Sequence, residues 1–310
     1  MSEIVIDRNP RALGASDLNV SPIAYGMWRF AGATGAQAEI EANAKVESAL
    51  DAGITLFDTA DVYGLDSDAP FGAAEELFGH VLKARPALRD QMVIASKGGI
   101  IPGTPYDSSA KYLREACEAS LKRLQIETID LYQVHRPDLL THPAELADTL
   151  QTLRKEGKIR EYGLSNVTAH QIAALQAHLD HPMATQQPEL SALAIEPVTD
   201  GILDLCMATN MTPLAWSPLA GGRLMLHASE APTSQLSDVI TTLDTLAEKH
   251  SASRTAIALA FVLAHPSKPI AIIGSQTPAR IADAMSALDV TLSREDWYDV
   301  YQAALGAPLP

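Results

Sequence analysis

Eight short apolar runs recur along the chain from Val20 onward, with helical patterns between them. The runs are residues 23–25, 55–57, 92–96, 129–134, 162–164, 184–186, 213–215 and 269–273. Between these runs, apolar residues recur at spacings of three and four residues, as in Val46, Ala49 and Leu50. This periodicity indicates helices with one buried face. Strands that alternate with helices are typical of a parallel sheet with crossover connections. Eight such units predict a closed (β/α)8 TIM barrel, and an open doubly wound sheet is the alternative.

The ends of the helical patterns carry residues that stop and start helices. Gly53 and Gly157 stand where a helix ends and a left-handed residue is favoured. Thr168 with Gln171 has the spacing of a capping box. These signals support the alternation of strands and helices.

Two segments depart from the repeat. The residues before Ser21, beginning at Arg11, predict a short N-terminal β-hairpin that covers the bottom of the barrel. The connection after the seventh strand is the longest, and its residues 217–237 are rich in Gly, Ser, Pro and Ala. Long loops inside compact domains are usually functional or disordered. We find no linker sequence, so residues 1–310 are expected to form one domain.

The charge and composition exclude several classes of protein. A formal net charge of −15 argues against nucleic acid or an anionic membrane as a partner. No run reaches the ~18 apolar residues of a membrane span. The first ten residues lack the basic and apolar regions of a secretory signal, and Cys117 and Cys206 lie in helical patterns. A cytoplasmic location with reduced cysteines is expected.

Polar residues stand at the carboxyl end of most of the predicted strands. In a barrel these ends meet at one rim, where active sites lie. The residues are Asp58, Lys97, His135, Ser165, Asn166, Gln187, Trp216, Ser217, Gly274 and Ser275. Each has a structural alternative when taken singly, such as a turn cap or a solvated charge. Their convergence predicts one polar pocket.

Four of these side chains make a set that can donate a proton to a carbonyl oxygen. Tyr63, five residues after Asp58, is a weak acid, with an ordinary pKa near ~10. A buried cation beside it, Lys97, would stabilise the phenolate if Asp58 holds that cation in place. His135 would then orient a substrate oxygen against the Tyr63 hydroxyl. The set predicts protonation of an oxyanion that forms on a carbonyl.

Other sites are less well supported by the sequence. Gly32-Ala33-Thr34-Gly35 lacks the order of a dinucleotide-binding glycine motif. Asp58, His135 and Glu189 could ligate a metal in a barrel hydrolase, but no H-x-H or H-E-x-x-H pair is present. No metal is therefore expected.

Several motifs in one order carry a family resemblance over nearly the whole chain. They are Gly53-Ile54-Thr55-Leu56-Phe57-Asp58-Thr59-Ala60 with Tyr63-Gly64, Ser96-Lys97, Leu131-Tyr132-Gln133-Val134-His135-Arg136-Pro137, Gly163-Leu164-Ser165-Asn166, Gln187-Pro188-Glu189 and Trp216-Ser217-Pro218-Leu219-Ala220-Gly221-Gly222. In these motifs the chain resembles the aldo-keto reductase superfamily, and its bacterial YdhF-like members look closest.

The resemblance implies the roles of the site residues. Asp58, Tyr63, Lys97 and His135 would be the catalytic tetrad, with Tyr63 as general acid. Ser165, Asn166 and Gln187 would hold the nicotinamide carboxamide, and Trp216 would stack on its ring in place of the usual tyrosine. Ser217, Leu219 and Gly221 would contact the pyrophosphate of the cofactor. Gly274, Ser275 and Arg280 would contact its 2′-phosphate. Gly26 and Asp58 are implied as further cofactor contacts.

Some positions depart from the family pattern. Gly274 stands where many members have a lysine, and Ala284 where some have an amide, which leaves Arg280 as the cation for a 2′-phosphate. Gln186 replaces the usual asparagine before Gln187.

The function expected from the sequence is NADPH-dependent reduction of a small aldehyde or ketone. The alternative from another class is a regulatory protein that senses the cofactor on the same barrel and is similar to potassium-channel β subunits. The sequence identifies neither the substrate nor the oligomeric state. The substrate pocket would be shaped by loops 27–35, 65–71, 100–106 and 219–235, and a shared fold does not imply a shared specificity.

Overall fold

Eight parallel strands close into a barrel in the computed structural model, which describes residues 3–31, 35–65 and 69–310. Residues 32–34 of the Gly32–Gly35 segment and parts of the expected substrate loops 27–35 and 65–71 lie outside the described residues. The strands are β1 (Glu3–Ile4), β2 (Arg11–Ala12), β3 (Asn19–Val20), β4 (Ile23–Gly26), β5 (Leu56–Asp58), β6 (Val93–Gly98), β7 (Ile129–Val134), β8 (Ile159–Ser165), β9 (Thr185–Gln187), β10 (Thr212–Ala215), β11 (Ile270–Ile273) and β12 (Leu292–Ser293).

Helices lie outside the barrel in the order that the sequence predicts. They are α1 (Gly35–Asp51), α2 (Ala73–Ala84), α3 (Ala110–Leu124), α4 (Pro143–Lys155), α5 (Ala169–Gln176), α6 (Ile202–Thr209), α7 (Ser234–His250), α8 (Arg254–Leu263), α9 (Pro278–Ala284) and α10 (Arg294–Leu305). Strands β4–β11 form the barrel, and β11 pairs with β4 through Ile272 and Ala24. This closure excludes the open-sheet alternative.

The predicted N-terminal hairpin is confirmed. Strands β2 and β3 pair antiparallel, and Leu13, Leu18 and Val20 pack against the apolar residues inside the barrel. The hairpin approaches the barrel closely at Gly14, where an added Cβ would lie 2.7 Å from the Ala184 carbonyl oxygen. Glycine also suits the left-handed φ of 57° at this position. The bottom of the barrel is thus covered with apolar residues.

The helix signals read from the sequence are present. Gly53 and Gly157 have φ values of 84° and 73°, and Thr168 and Gln171 form a capping box. The segment after β10 is not a bare loop, since it contains 3₁₀ turns at Ala220–Met225 and Ala228–Glu230 before α7. No helix of the described residues is long and apolar enough to span a bilayer. Cys117 and Cys206 are free and buried.

Candidate active site

The carboxyl ends of neighbouring barrel strands bring polar side chains to one rim. Asp58 ends β5, Lys97 lies next to the end of β6, and His135 directly follows β7. Ser165 and Gln187 end β8 and β9 and are paired in register. Parallel pairing sets these residues side by side, so the polar rim expected from the sequence forms.

The ammonium group of Lys97 has three acceptors and no exposure to solvent. Its Nζ lies 2.6 Å from Asp58 Oδ2, 2.9 Å from the Thr59 carbonyl oxygen and 3.2 Å from the Tyr63 hydroxyl. An ammonium has three donors, so all of them are used. Burial lowers the pKa of Lys97, but the charges of Asp58 and Tyr63 raise it by more, and the net pKa is raised. Lys97 is therefore a cation at neutral pH.

The acidity of the Tyr63 hydroxyl is set by opposing effects. Burial raises its pKa most, Lys97 lowers it, and Asp58 raises it again. The net pKa of Tyr63 is raised above its ordinary value. The effect of Lys97 has the sign expected from the sequence, but in the protein alone the desolvation of Tyr63 outweighs it.

The imidazole of His135 and the ring of Tyr63 pack edge to face. The ring centroids lie 5.7 Å apart at an interplanar angle of 78°. Burial, followed by the charges of Lys97 and Arg136, holds the pKa of His135 well below its usual range. The Nδ1 atom of His135 is buried without a hydrogen-bond partner among the described residues. A neutral imidazole at this place can still donate one hydrogen bond.

Two glutamines hold the second oxygen of Asp58. Oδ1 accepts hydrogen bonds from Gln133 Nε2 at 3.3 Å and from Gln187 Nε2 at 3.1 Å. Gln133 was not predicted as a site residue, although a glutamine inside the apolar run of β7 is a visible signal. Gln187 was predicted to contact the cofactor alone, whereas its amide nitrogen is bonded to Asp58. These contacts fix the carboxylate that in turn fixes Lys97.

A second network joins the ends of β8 and β10. Trp216 Nε1 donates to Asn166 Oδ1 at 2.9 Å, and Asn166 Nδ2 donates to Ser165 Oγ at 2.7 Å. Ser165 Oγ donates in turn to the Gln187 carbonyl oxygen at 3.1 Å. Asn166 has a left-handed φ of 57°, a conformation that asparagine tolerates better than most residues. Polar atoms and an aromatic face are thus held together beside the Tyr63 pocket.

The segment after β10 has a backbone suited to an anion. Ser217, Ala220, Gly221 and Gly222 all have left-handed φ values, between 50° and 96°, and Leu219 precedes the 3₁₀ turn. Left-handed residues next to right-handed ones turn successive N–H groups to one side, which is how many phosphate sites are made. The N–H groups of Ala220 and Gly222 already donate to carbonyl oxygens within the segment, and the other N–H groups of the segment suit a diphosphate.

The segment after β11 lies beside it, because β10 and β11 are paired. Arg280, in the first turn of α9, is exposed and makes no ion pair or side-chain hydrogen bond within the described residues. Gly274 is exposed, and Ser275 Oγ accepts a hydrogen bond from the Thr277 backbone at 3.4 Å. Gly26 ends β4 with no room for a Cβ beside Ile272. A cation is thus available here for a further anionic group.

Two carboxyl groups that were not predicted as site residues, those of Asp61 and Glu75, are buried near Tyr63. Glu75 accepts hydrogen bonds from Ser96 at 2.5 Å and from Arg123 at 2.7 Å. Asp61 is fully buried, and neither of its oxygens accepts a hydrogen bond from a described residue. Burial, followed by the charge of Glu75, raises the pKa of Asp61 well above its ordinary value.

Within residues 3–31, 35–65 and 69–310, no three His, Cys, Asp or Glu side chains lie close enough together to hold a metal ion. Glu189 does not join Asp58 and His135 in such a group.

Residues 22–304 match the sequence profile of the Aldo/keto reductase family. The chain belongs to this family. The 6-dehydroglucose reductase of Novosphingobium aromaticivorans is 48% identical over 310 residues, which covers 100% of both chains. The protein of the same name from Agrobacterium fabrum is 34% identical, over 93% of this chain and 96% of its own. Oxidoreductase YdhF of Escherichia coli is 35% identical, over 86% of this chain and 88% of its own.

Solved structures agree with this membership. The glycerol dehydrogenase AKR11B4 of Gluconobacter oxydans superposes with a TM-score of 0.83, at 29% identity over 98% of both chains. The barrel and the aldo/keto reductase assignment expected from the sequence are thus confirmed, and the chain is an oxidoreductase of this family.

Proposed function

We propose that this protein reduces an aldehyde or ketone to an alcohol with NADPH, and that Tyr63 supplies the proton. The contact that carries the proposal is that of the buried Lys97 ammonium with both Asp58 and the Tyr63 hydroxyl. A cation here stabilises a phenolate, and the phenolate is what remains when Tyr63 has given its proton away. When bound, a reduced nicotinamide would supply the hydride.

The residues of the rim have separate tasks in this reaction. His135, neutral at physiological pH, donates a hydrogen bond to the carbonyl oxygen and turns it towards Tyr63. Tyr63 transfers its hydroxyl proton to that oxygen as negative charge forms there. Lys97 stays charged throughout, because Asp58 Oδ2 lies 2.6 Å from its Nζ. Two glutamines hold Asp58 in place, and Asp58 acts on the reaction through its ion pair with Lys97.

The cofactor would lie across the ends of β8–β11. The amide oxygens of Asn166 and Gln187 with Ser165 Oγ suit a carboxamide, because each oxygen can accept a further hydrogen bond, and the face of Trp216 suits a flat ring. The left-handed segment at Ser217–Gly222, with Leu219 and Gly221, suits the diphosphate. Arg280, beside Gly274 and Ser275, suits a 2′-phosphate, which favours NADPH over NADH.

Two relatives named 6-dehydroglucose reductase match nearly all of this chain. Their name describes a glucose whose C6 alcohol is oxidised to an aldehyde, and reduction of that aldehyde gives glucose. We propose an uncharged sugar aldehyde of this kind as the substrate.

The test is the loss of NADPH absorbance with purified protein and three carbonyl compounds: 6-dehydroglucose, hexanal and a simple ketone. Turnover with 6-dehydroglucose that is faster than with hexanal supports the proposal. Tight NADPH binding without turnover of any carbonyl would overturn it and favour a cofactor-sensing regulatory protein. Loss of activity on addition of a chelator would point instead to metal-dependent chemistry.

A further inference from the structure

Arg136 is a partly buried cation beside the site that forms no ion pair with a described residue. It directly follows His135, and its guanidinium carbon lies 5.7 Å from the centre of the Trp216 ring. Within the described residues it makes no ion pair and no side-chain hydrogen bond, unlike Arg123 and Arg254, which both bind carboxylates. A guanidinium has five N–H donors, and these donors are free.

Glu189 is a partly buried carboxylate on the same side of the rim. It pairs with Trp216 in a parallel β-bridge, so the side chains of the two residues leave the backbone on one face. Its carboxylate accepts no hydrogen bond from the described residues. Burial raises the pKa of Glu189, and the charges of Arg223 and Arg136 lower it in part. Arg136 over the Trp216 ring and Glu189 paired with Trp216 therefore lie on the same part of the rim, and they form no ion pair with each other.

The backbone around these two groups is tied to the reacting centre. Asn166 Nδ2 lies 3.4 Å from the His135 carbonyl oxygen, and Asn166 Oδ1 accepts from Trp216 Nε1 at 2.9 Å. Arg136 and Glu189 therefore flank one hydrogen-bonded unit that includes His135. Arg136 directly follows His135 and Glu189 lies two residues after Gln187, so both residues stand next to positions that line the site.

We propose that Arg136 and Glu189 form a subsite for the hydroxyl groups of a neutral polyhydroxy aldehyde. The inference rests on the proposed function and extends it to the residues that select the substrate. The planar fork of Arg136 donates to two neighbouring hydroxyl oxygens, and Glu189 accepts from a hydroxyl group. Their opposite charges match an uncharged ligand, because Glu189 repels an anionic substrate and Arg136 a cationic one.

The experiment compares two aldehydes that differ in hydroxyl groups, 6-dehydroglucose and hexanal. We expect Arg136→Met to lower kcat/KM for 6-dehydroglucose about tenfold or more, mainly through KM, since a charge-assisted hydrogen bond remote from the carbonyl is lost. With hexanal, kcat/KM should change less than about threefold. Glu189→Gln, which keeps the size of the side chain, should act in the same direction. The matched control is Arg294→Met, whose guanidinium also lies over an aromatic ring, 5.9 Å from that of Tyr298 on α10.

Calorimetry of D-glucose binding to the NADP⁺-loaded protein gives a second readout that needs no turnover. Weaker glucose binding by Arg136→Met, with unchanged NADPH affinity, would support the subsite. Equal effects of Arg136→Met on both aldehydes, or an unchanged glucose affinity, would overturn it while leaving carbonyl reduction intact. The absence of aldehyde turnover in the wild-type protein would instead overturn the proposed function, and glucose binding would still decide on the subsite.

Discussion

The Nζ atom of Lys97 lies 3.2 Å from the hydroxyl oxygen of Tyr63, and neither group titrates independently of the other. The charge of Lys97 lowers the pKa of Tyr63, and the hydroxyl of Tyr63 raises the pKa of Lys97. Burial opposes the charged form of both. The two side chains are therefore expected to behave as one unit in any proton transfer, and the first two predictions test this.

Tyr63→Phe removes the proposed proton donor and keeps the ring beside His135. We expect kcat to fall by about 10²–10⁴-fold, the range of a general acid. The Kd for NADPH should stay within a few-fold, because the hydroxyl acts on the substrate. Steady-state rates and a cofactor titration measure the two quantities. Retention of most of the wild-type kcat would remove Tyr63 from the reaction.

Lys97→Met removes the charge that stabilises the Tyr63 phenolate. The loss of kcat should be comparable to that of Tyr63→Phe, and the double variant should be little worse than either single variant. Rates of the two single variants and the double variant form the cycle that measures this. Additive losses would mean that the two residues act independently.

Asp61→Asn tests the buried acid pair behind the Tyr63 loop. The pKa of Asp61 is raised in the folded protein from 3.8, so the folded state holds a proton that the unfolded state releases. The wild-type protein should therefore lose stability as pH rises above this value, at up to about 1.4 kcal/mol per pH unit, until the raised pKa is reached. Asn does not titrate, so the free energy of unfolding of the variant should not show this decrease with pH. Denaturant unfolding at several pH values should show the difference in unfolding free energy between variant and wild type changing from acid to neutral pH, and a constant difference would contradict the shifted pKa.

The sequence predicted the parts of the site that follow from strand order. Asp58, Lys97 and His135 were identified because alternation alone locates the strand ends, and parallel pairing brings those ends together. Strand β8 begins at Ile159 and not at residue 162, because the charged pair Arg160 and Glu161 hides its first residues.

Contacts between distant segments could not be predicted in this way. Asp58 meets Gln187 across a separation of 129 residues. Glu75 reaches Ser96 because α2 packs over the barrel, which no local pattern reveals. That Arg136 forms no ion pair with a described residue is also not visible in the sequence, because Glu189 is 53 positions away along the chain.

Arg280→Ala tests the proposed cofactor preference. On a chain of net charge −15, a dianionic 2′-phosphate needs a cation nearby, and Gly274 supplies none. Arg280 is exposed and unpaired within the described residues, and its guanidinium can form a bidentate pair with phosphate. Losing such a contact costs about 1.5–3 kcal/mol. We expect the Kd for NADPH to rise about tenfold or more, and the Kd for NADH to change little, because NADH has no 2′-phosphate.

Arg294→Ala, which removes an arginine from the first turn of α10, is the matched control. Fluorescence titration with both cofactors gives the ratio, and equal weakening of the two would show that the 2′-phosphate is not bound by Arg280.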